Sequence, residues 1–177
     1  MCVIIIKPAG VEMPETNILE RAAIFNPHGF GLCTKERLYK TLNEDLFLRE
    51  TAKISIEEPA IMHFRYATTG SVKLANCHPF VCKGVCFAHN GVLNVNTGKD
   101  MTDSETFLRN EVMPLVNKYG YGSHKFSYHM QKRAKEEYSR FAVMYKGDIL
   151  MYGNFENYQR CFYSNMRFFN HFKYAQL

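Results

Sequence analysis

Cys2 directly follows the initiator methionine. If Met1 is removed, this cysteine becomes the chain terminus, and one residue then carries both a thiol and a primary amine. An α-amine has a pKa of about 8, so a useful fraction is neutral near pH 7. Such an amine can take the thiol proton, directly or through a water, and return it to a departing amine. The alternative is a small apolar residue at the start of a strand.

Three other segments carry groups that suit the same chemistry. In His63-Phe64-Arg65-Tyr66-Ala67-Thr68-Thr69-Gly70, an arginine closes a buried-looking strand just before a glycine-containing loop. A buried guanidinium requires an anion. That anion is either an internal carboxylate or a substrate carboxylate gripped in bidentate fashion. In His89-Asn90-Gly91, a side-chain amide and a neighbouring backbone N–H are the parts of an oxyanion hole, although Asn-Gly is equally a turn. In Thr102-Asp103-Ser104-Glu105, Asp103 can cap a helix or accept from a substrate ammonium.

A second constellation competes. Cys77, His78, Cys82, Cys86 and His89 lie within 13 residues, and Cys2 and Cys33 are further thiols. The spacing is C-x4-C-x3-C rather than the tight pairs of zinc sites. A hairpin here could bring Cys82 and Cys86 together. No metal and no cofactor is expected.

The elements that must position these residues follow from periodicity. Residues 2–7 read as a buried strand, residues 15–26 as a helix, and residues 29–33 as a strand entered through glycines. Residues 43–51 read as a helix capped by Asn43. Residues 60–67 read as a strand, and 80–81 with 85–88 as a hairpin turning at Lys83-Gly84. A helix over 103–116 starts at Thr102 or Asp103, and a second helix covers 124–137. Residues 140–145 and 148–152 form another hairpin, and residues 158–163 one more strand. Hairpin-joined strands with helices in a few blocks indicate an α+β architecture in a single domain, 1–177.

Composition excludes several classes. No apolar run approaches the ~20 residues needed to span a bilayer, and the N-terminus has no basic region or cleavage site of a signal peptide. A cytoplasmic location is expected, with the six cysteines as free thiols. The net charge of +5 is mild and scattered, apart from the cluster at 131–135, which reads as a solvated helix face. Neither a nucleic-acid nor a membrane partner is expected.

Taken in order, the motifs resemble one family: Met1-Cys2, Asn26-Pro27-His28-Gly29-Phe30-Gly31, Phe64-Arg65-Tyr66-Ala67-Thr68, Asn76-Cys77-His78-Pro79-Phe80, His89-Asn90-Gly91, and Asp103-Ser104-Glu105. The chain resembles the glutaminase domain of class II glutamine amidotransferases over roughly residues 2–106, and its compact length is similar to that of stand-alone members encoded by phages. The resemblance implies a four-layer α/β/β/α sandwich of the N-terminal-nucleophile hydrolase type. It further implies that Cys2 attacks a side-chain amide with its own α-amine as base, while Asn90 and the Gly91 N–H hold the oxyanion. Arg65 would bind the α-carboxylate and Asp103 the α-ammonium. Thr68 would shape the pocket, and His78 would complete the substrate-binding set. Ammonia would leave first, and water would then hydrolyse a γ-glutamyl thioester.

The chain departs from the family pattern at Val3, where glycine is usual; at Thr69, where histidine is common; and at His28, where an acidic residue is common. It also carries no recognisable acceptor domain. The expected partners are therefore glutamine or another γ-glutamyl amide, and a separate synthase subunit that would use the ammonia. The alternative is a catalytically inactive module that keeps the fold and binds another protein, for which the basic aromatic tail from Met166 to Tyr174 would be suited.

Overall fold

The computed structural model describes residues 2–67, 71–97 and 101–170. Two antiparallel sheets pack face to face, each with helices on its outer side. The first sheet has the order β3-β2-β4-β1-β10-β9. Its strands are β1 (Val3–Lys7), β2 (Phe30–Cys33), β3 (Leu38–Thr41), β4 (Ala60–Phe64), β9 (Glu156–Tyr158) and β10 (Cys161–Tyr163). The second has the order β5-β6-β7-β8, from β5 (Phe80–Cys82), β6 (Val85–Asn90), β7 (Arg140–Tyr145) and β8 (Asp148–Tyr152).

Alternation along the strands builds the layers. Ile4, Ile6, Cys33 and Ile61 from the first sheet meet Cys86, Ala88, Ala142 and Met144 from the second. The outward-facing Val3, Ile5, Phe30, Met62 and Phe64 pack against α1 (Thr16–Phe25), α2 (Glu44–Thr51) and α6 (Arg167–Asn170) through Ile18, Leu19, Phe47 and Phe168. On the other side Phe87, Phe141 and Val143 pack against α3 (Asp103–Phe107), α4 (Met113–Tyr119) and α5 (His124–Glu136) through Phe107, Met113, Phe126 and Met130. The result is the expected α/β/β/α sandwich. Strand β1 is buried along its whole length because both of its faces are covered.

Most of the expected elements form. Asn43 caps α2, its side chain accepting from Leu46 N at 2.9 Å. Asn43→Ala should cost about 1 kcal/mol, visible as a lower thermal midpoint. The long helix beginning at Asp103 is continuous but passes through a π-helical stretch, Leu108–Val112, before α4.

Three expectations are corrected. The strand expected over 158–163 is two strands, β9 and β10, joined by Gln159 and Arg160, both with positive φ (50° and 63°). That turn carries no glycine to announce it. Strand β3 was not anticipated, since its run is only four residues long and Thr41 alone is buried. Cys82 and Cys86 do not meet: in the β5–β6 register Val81 faces Cys86 and Cys82 faces Val85. Cys86 therefore points between the sheets and Cys82 toward the helices.

Candidate active site

The pairing of β1 with β4 aligns Val3 with Phe64. One step further along both strands, Cys2 and Arg65 emerge together at the same edge of the sandwich. Tyr66 N–H donates to Cys2 Sγ at 3.3 Å. Burial raises the thiol pKa, partly offset by that N–H, so the sulfur is protonated at neutral pH. Arg65 is 7% exposed and donates from Nη1 to Ser71 O at 3.3 Å.

The 28–29 turn grips the backbone around Arg65. Arg65 N–H donates to Gly29 O at 2.8 Å and His28 N–H to Arg65 O at 2.9 Å, while His28 Nδ1 accepts from Ala67 N–H at 2.9 Å. The histidine found where the family pattern has an acidic residue thus has work as an acceptor. A second departure, Val3, packs its side chain into the core between the first sheet and its helices, away from Cys2's neighbours in the cleft.

At the same edge, β6 of the second sheet ends in Asn90. A cleft of about 530 Å³ lies between the sheet ends and is lined by Cys2, Arg65, His78, Gly91 and Asp103 among others. Sequence residues spread over a hundred positions therefore converge. Asn90 is placed differently from the expectation. It is 2% exposed and stands behind the cleft wall, and its amide donates to Cys2 O at 2.6 Å and to Ser164 Oγ at 2.8 Å. Both of its hydrogens are used inside the chain. Gly91 does face the cleft. Its φ is 148°, and a side chain there would run into Ser139 Oγ and approach His89 Nε2 to 3.0 Å.

Asp103 is not the helix cap. Thr102 is, its Oγ1 accepting from Glu105 N at 3.1 Å. This leaves the Asp103 carboxylate to accept from Ser104 N (2.7 Å), Ser104 Oγ (3.1 Å) and Leu93 N (3.1 Å), at the border of the cleft.

His78 contributes wall but no hydrogen-bonding group. Both ring nitrogens are sealed from solvent and have no partner. Its ring packs against that of His63 at 4.3 Å with a tilt of 32°, and a strand glycine makes this packing possible, because a side chain at Gly31 would collide with the His78 carbonyl. Burial holds His78 well below the usual histidine range and lowers His63 to about 3.

Thr68, Thr69 and Met1 lie outside the described residues, as does the chain beyond Asn170. Among the described residues no group of three or more His, Cys, Asp or Glu side chains is arranged to hold a metal ion, and no helix is long and apolar enough to cross a membrane.

Two site residues had no signal in the linear sequence. Asn165 Nδ2 donates to Cys2 O at 2.9 Å. Ser164 Oγ accepts from Ile4 N and from Asn90. They reach the site because β10 runs antiparallel beside β1, with Tyr163 opposite Ile5. Only that strand pairing would have pointed to them.

The family model described as glutamine amidotransferases class-II matches residues 47–139, more than half of the chain. The chain belongs to the class II glutamine amidotransferases. The matched span contains Arg65, His78, Asn90, Gly91 and Asp103, with Cys2 ahead of it. The comparison with curated proteins gives no match. Among solved structures, 22 chains match. One is the glutamine phosphoribosylpyrophosphate amidotransferase of B. subtilis complexed with ADP and GMP, at 15% identity and a TM-score of 0.45. The alignment covers 92% of this chain and 41% of that one. In this class II amidotransferase the candidate site is assembled at the edge of the sandwich where β1 and β4 of the first sheet meet β6 of the second.

Proposed function

We propose that this chain hydrolyses the side-chain amide of glutamine, or of a related γ-glutamyl amide, and releases ammonia to a separate acceptor enzyme. The observation that carries the reading is the convergence of Cys2, Arg65, Gly91 and Asp103 on one cleft. A thiol, a guanidinium, an oriented backbone N–H and a carboxylate match the parts of an α-amino acid amide. The guanidinium takes the α-carboxylate, the carboxylate takes the α-ammonium, and the thiol meets the amide carbon.

Because burial keeps the Cys2 thiol protonated, attack needs a base. With Met1 removed, the α-amine of Cys2 is that base. Sulfur bonds to the amide carbon while the amine takes the thiol proton. The tetrahedral intermediate then expels ammonia, which receives the proton. Water adds to the resulting thioester and releases the acid and the free thiol.

The Gly91 N–H stabilises the developing oxyanion. Asn90, together with Asn165, holds the nucleophile in place through the Cys2 carbonyl. His78 forms part of the pocket wall.

The test is covalent. A diazo- or chloroketone analogue of glutamine should add once to Cys2, seen as an intact-mass shift that excess glutamine suppresses. The same spectrum reports whether Met1 is present. A processed chain whose Cys2 resists the reagent would instead favour the protein-binding module.

A further inference from the structure

His89 is the member of the His89-Asn90-Gly91 tripeptide to which the proposed chemistry gives no part. It is 3% exposed and lies on the face of β6 that meets the start of α3. Its Nδ1 is 2.9 Å from Ser104 Oγ, and its Nε2 is 3.1 Å from Ser139 Oγ. Ser104 Oγ is in turn 3.1 Å from Asp103 Oδ1.

The protons in this chain are decided by the carboxylate. Ser104 has one hydroxyl hydrogen, and a carboxylate is a stronger acceptor than a neutral imidazole. Ser104 therefore donates to Asp103, which obliges His89 Nδ1 to be the N–H that donates to Ser104. His89 Nε2 is then bare and can accept only from Ser139, whose Oγ also lies 3.1 Å from Glu137 O and 3.4 Å from Val92 O. Burial lowers His89 to about 4 despite the neighbouring Asp103 charge. The ring is thus neutral, and it orients the carboxylate without cancelling its charge.

We infer that His89 is a positioning residue: through Ser104 it fixes the Asp103 carboxylate at the border of the cleft, where it receives the ammonium of the amino-acid substrate. The three residues of the tripeptide then serve three different points. His89 serves the ammonium anchor, Asn90 the nucleophile's own carbonyl, and Gly91 the oxyanion. Gly91 also seats directly over the Ser139–His89 contact, so the oxyanion N–H and the ammonium anchor share one support. The inference rests on the amide-hydrolysis reading for the identity of the ligand, and its test is a binding measurement that does not need turnover.

Glutamine affinity is measured by calorimetry on Cys2→Ser protein carrying His89→Phe, His89→Asn or Ser104→Ala. His89→Phe should weaken binding by about 10-fold or more, the loss of one hydrogen bond to a charged group's support. Ser104→Ala, which leaves the histidine in place, should do the same. His89→Asn, whose Nδ2 can replace the Nδ1–H, should restore affinity to within about 3-fold of the parent. Glutaramate, which lacks the α-ammonium, should bind all four proteins equally. Equal glutamine affinity across the series, or parallel losses for glutamine and glutaramate, would overturn the inference. A protein that binds glutamine in this pattern but releases no ammonia as wild type defeats the amide-hydrolysis reading alone.

Discussion

Cys2→Ala is expected to lower ammonia release from glutamine by about 10⁴-fold or more, because losing a nucleophile removes the covalent route and not merely one contact. Fold stability should barely change. The side chain is only half-buried, and its recorded partners are the backbone N–H and carbonyl of Tyr66. No other thiol can substitute. Cys33, Cys77, Cys86 and Cys161 are buried, Cys82 points toward the helices, and none of the five lines the cleft. Cys82→Ser is therefore the control that should keep full activity. Cys2→Ser tests the pairing of thiol and amine, since a hydroxyl is far harder for an amine of pKa about 8 to deprotonate. It should fall nearly as far as alanine. Ammonia assays with thermal unfolding run in parallel read both quantities. Retention of more than about a tenth of the activity in Cys2→Ala would remove the thiol from the mechanism.

The sequence made the layers legible because both sheets are covered on both faces. Val3-Ile4-Ile5-Ile6 can be continuous and β-branched only if each side finds a core, and both cores are present. Arg65, Gly91 and Asp103 could be read as site residues because strand ends and helix starts deliver side chains to an edge, where a cleft opens. What the sequence hid depends on pairing between distant strands. Asn165 touches the Cys2 carbonyl only because β10 lies beside β1, 163 positions from the nucleophile in sequence. Asn90 was read as an open donor, yet the same neighbour, through Ser164, engages its amide. His78 was read as a ligand-facing group because it sits in a motif loop. Packing against His63 turns its nitrogens into the protein instead. Lys7 lies at the end of the strand read as buried over residues 2–7 and is itself fully buried, its ammonium donating to the carbonyls of Ile56 (2.7 Å) and Glu58 (2.8 Å). In each case the residue type was visible and its partner was not.

The buried histidines beneath the cleft make the fold sensitive to mild acid. The rings of His63 and His78 pack at 4.3 Å, and those of His78 and His89 lie 6.3 Å apart. Burial lowers His63 to about 3 and His89 to about 4, and holds His78 well below 6.5. Arg65 and Lys40 push His63 and His78 the same way, and only Asp103 pulls His89 upward. In the unfolded chain each ring titrates at about 6.5. Between that value and the folded one, the unfolded state holds a proton that the folded state refuses, so stability falls as pH falls. The window opens at 6.5 and closes at about 4 for His89 and about 3 for His63. Rings that stay neutral in the fold should together lower stability by a few kcal/mol, on the order of 1–2 kcal/mol for each of His63 and His89, between pH 6.5 and 5, before most carboxylates titrate. Urea unfolding at pH 6.5, 6.0, 5.5 and 5.0 reads this directly. His78→Leu removes two unpartnered buried nitrogens and one titrating ring, so it should leave stability at pH 7 unchanged or raised. It should also reduce the acid loss. A midpoint that stays level from pH 6.5 to 5 would mean that these rings carry protons, or meet water, within the native fold.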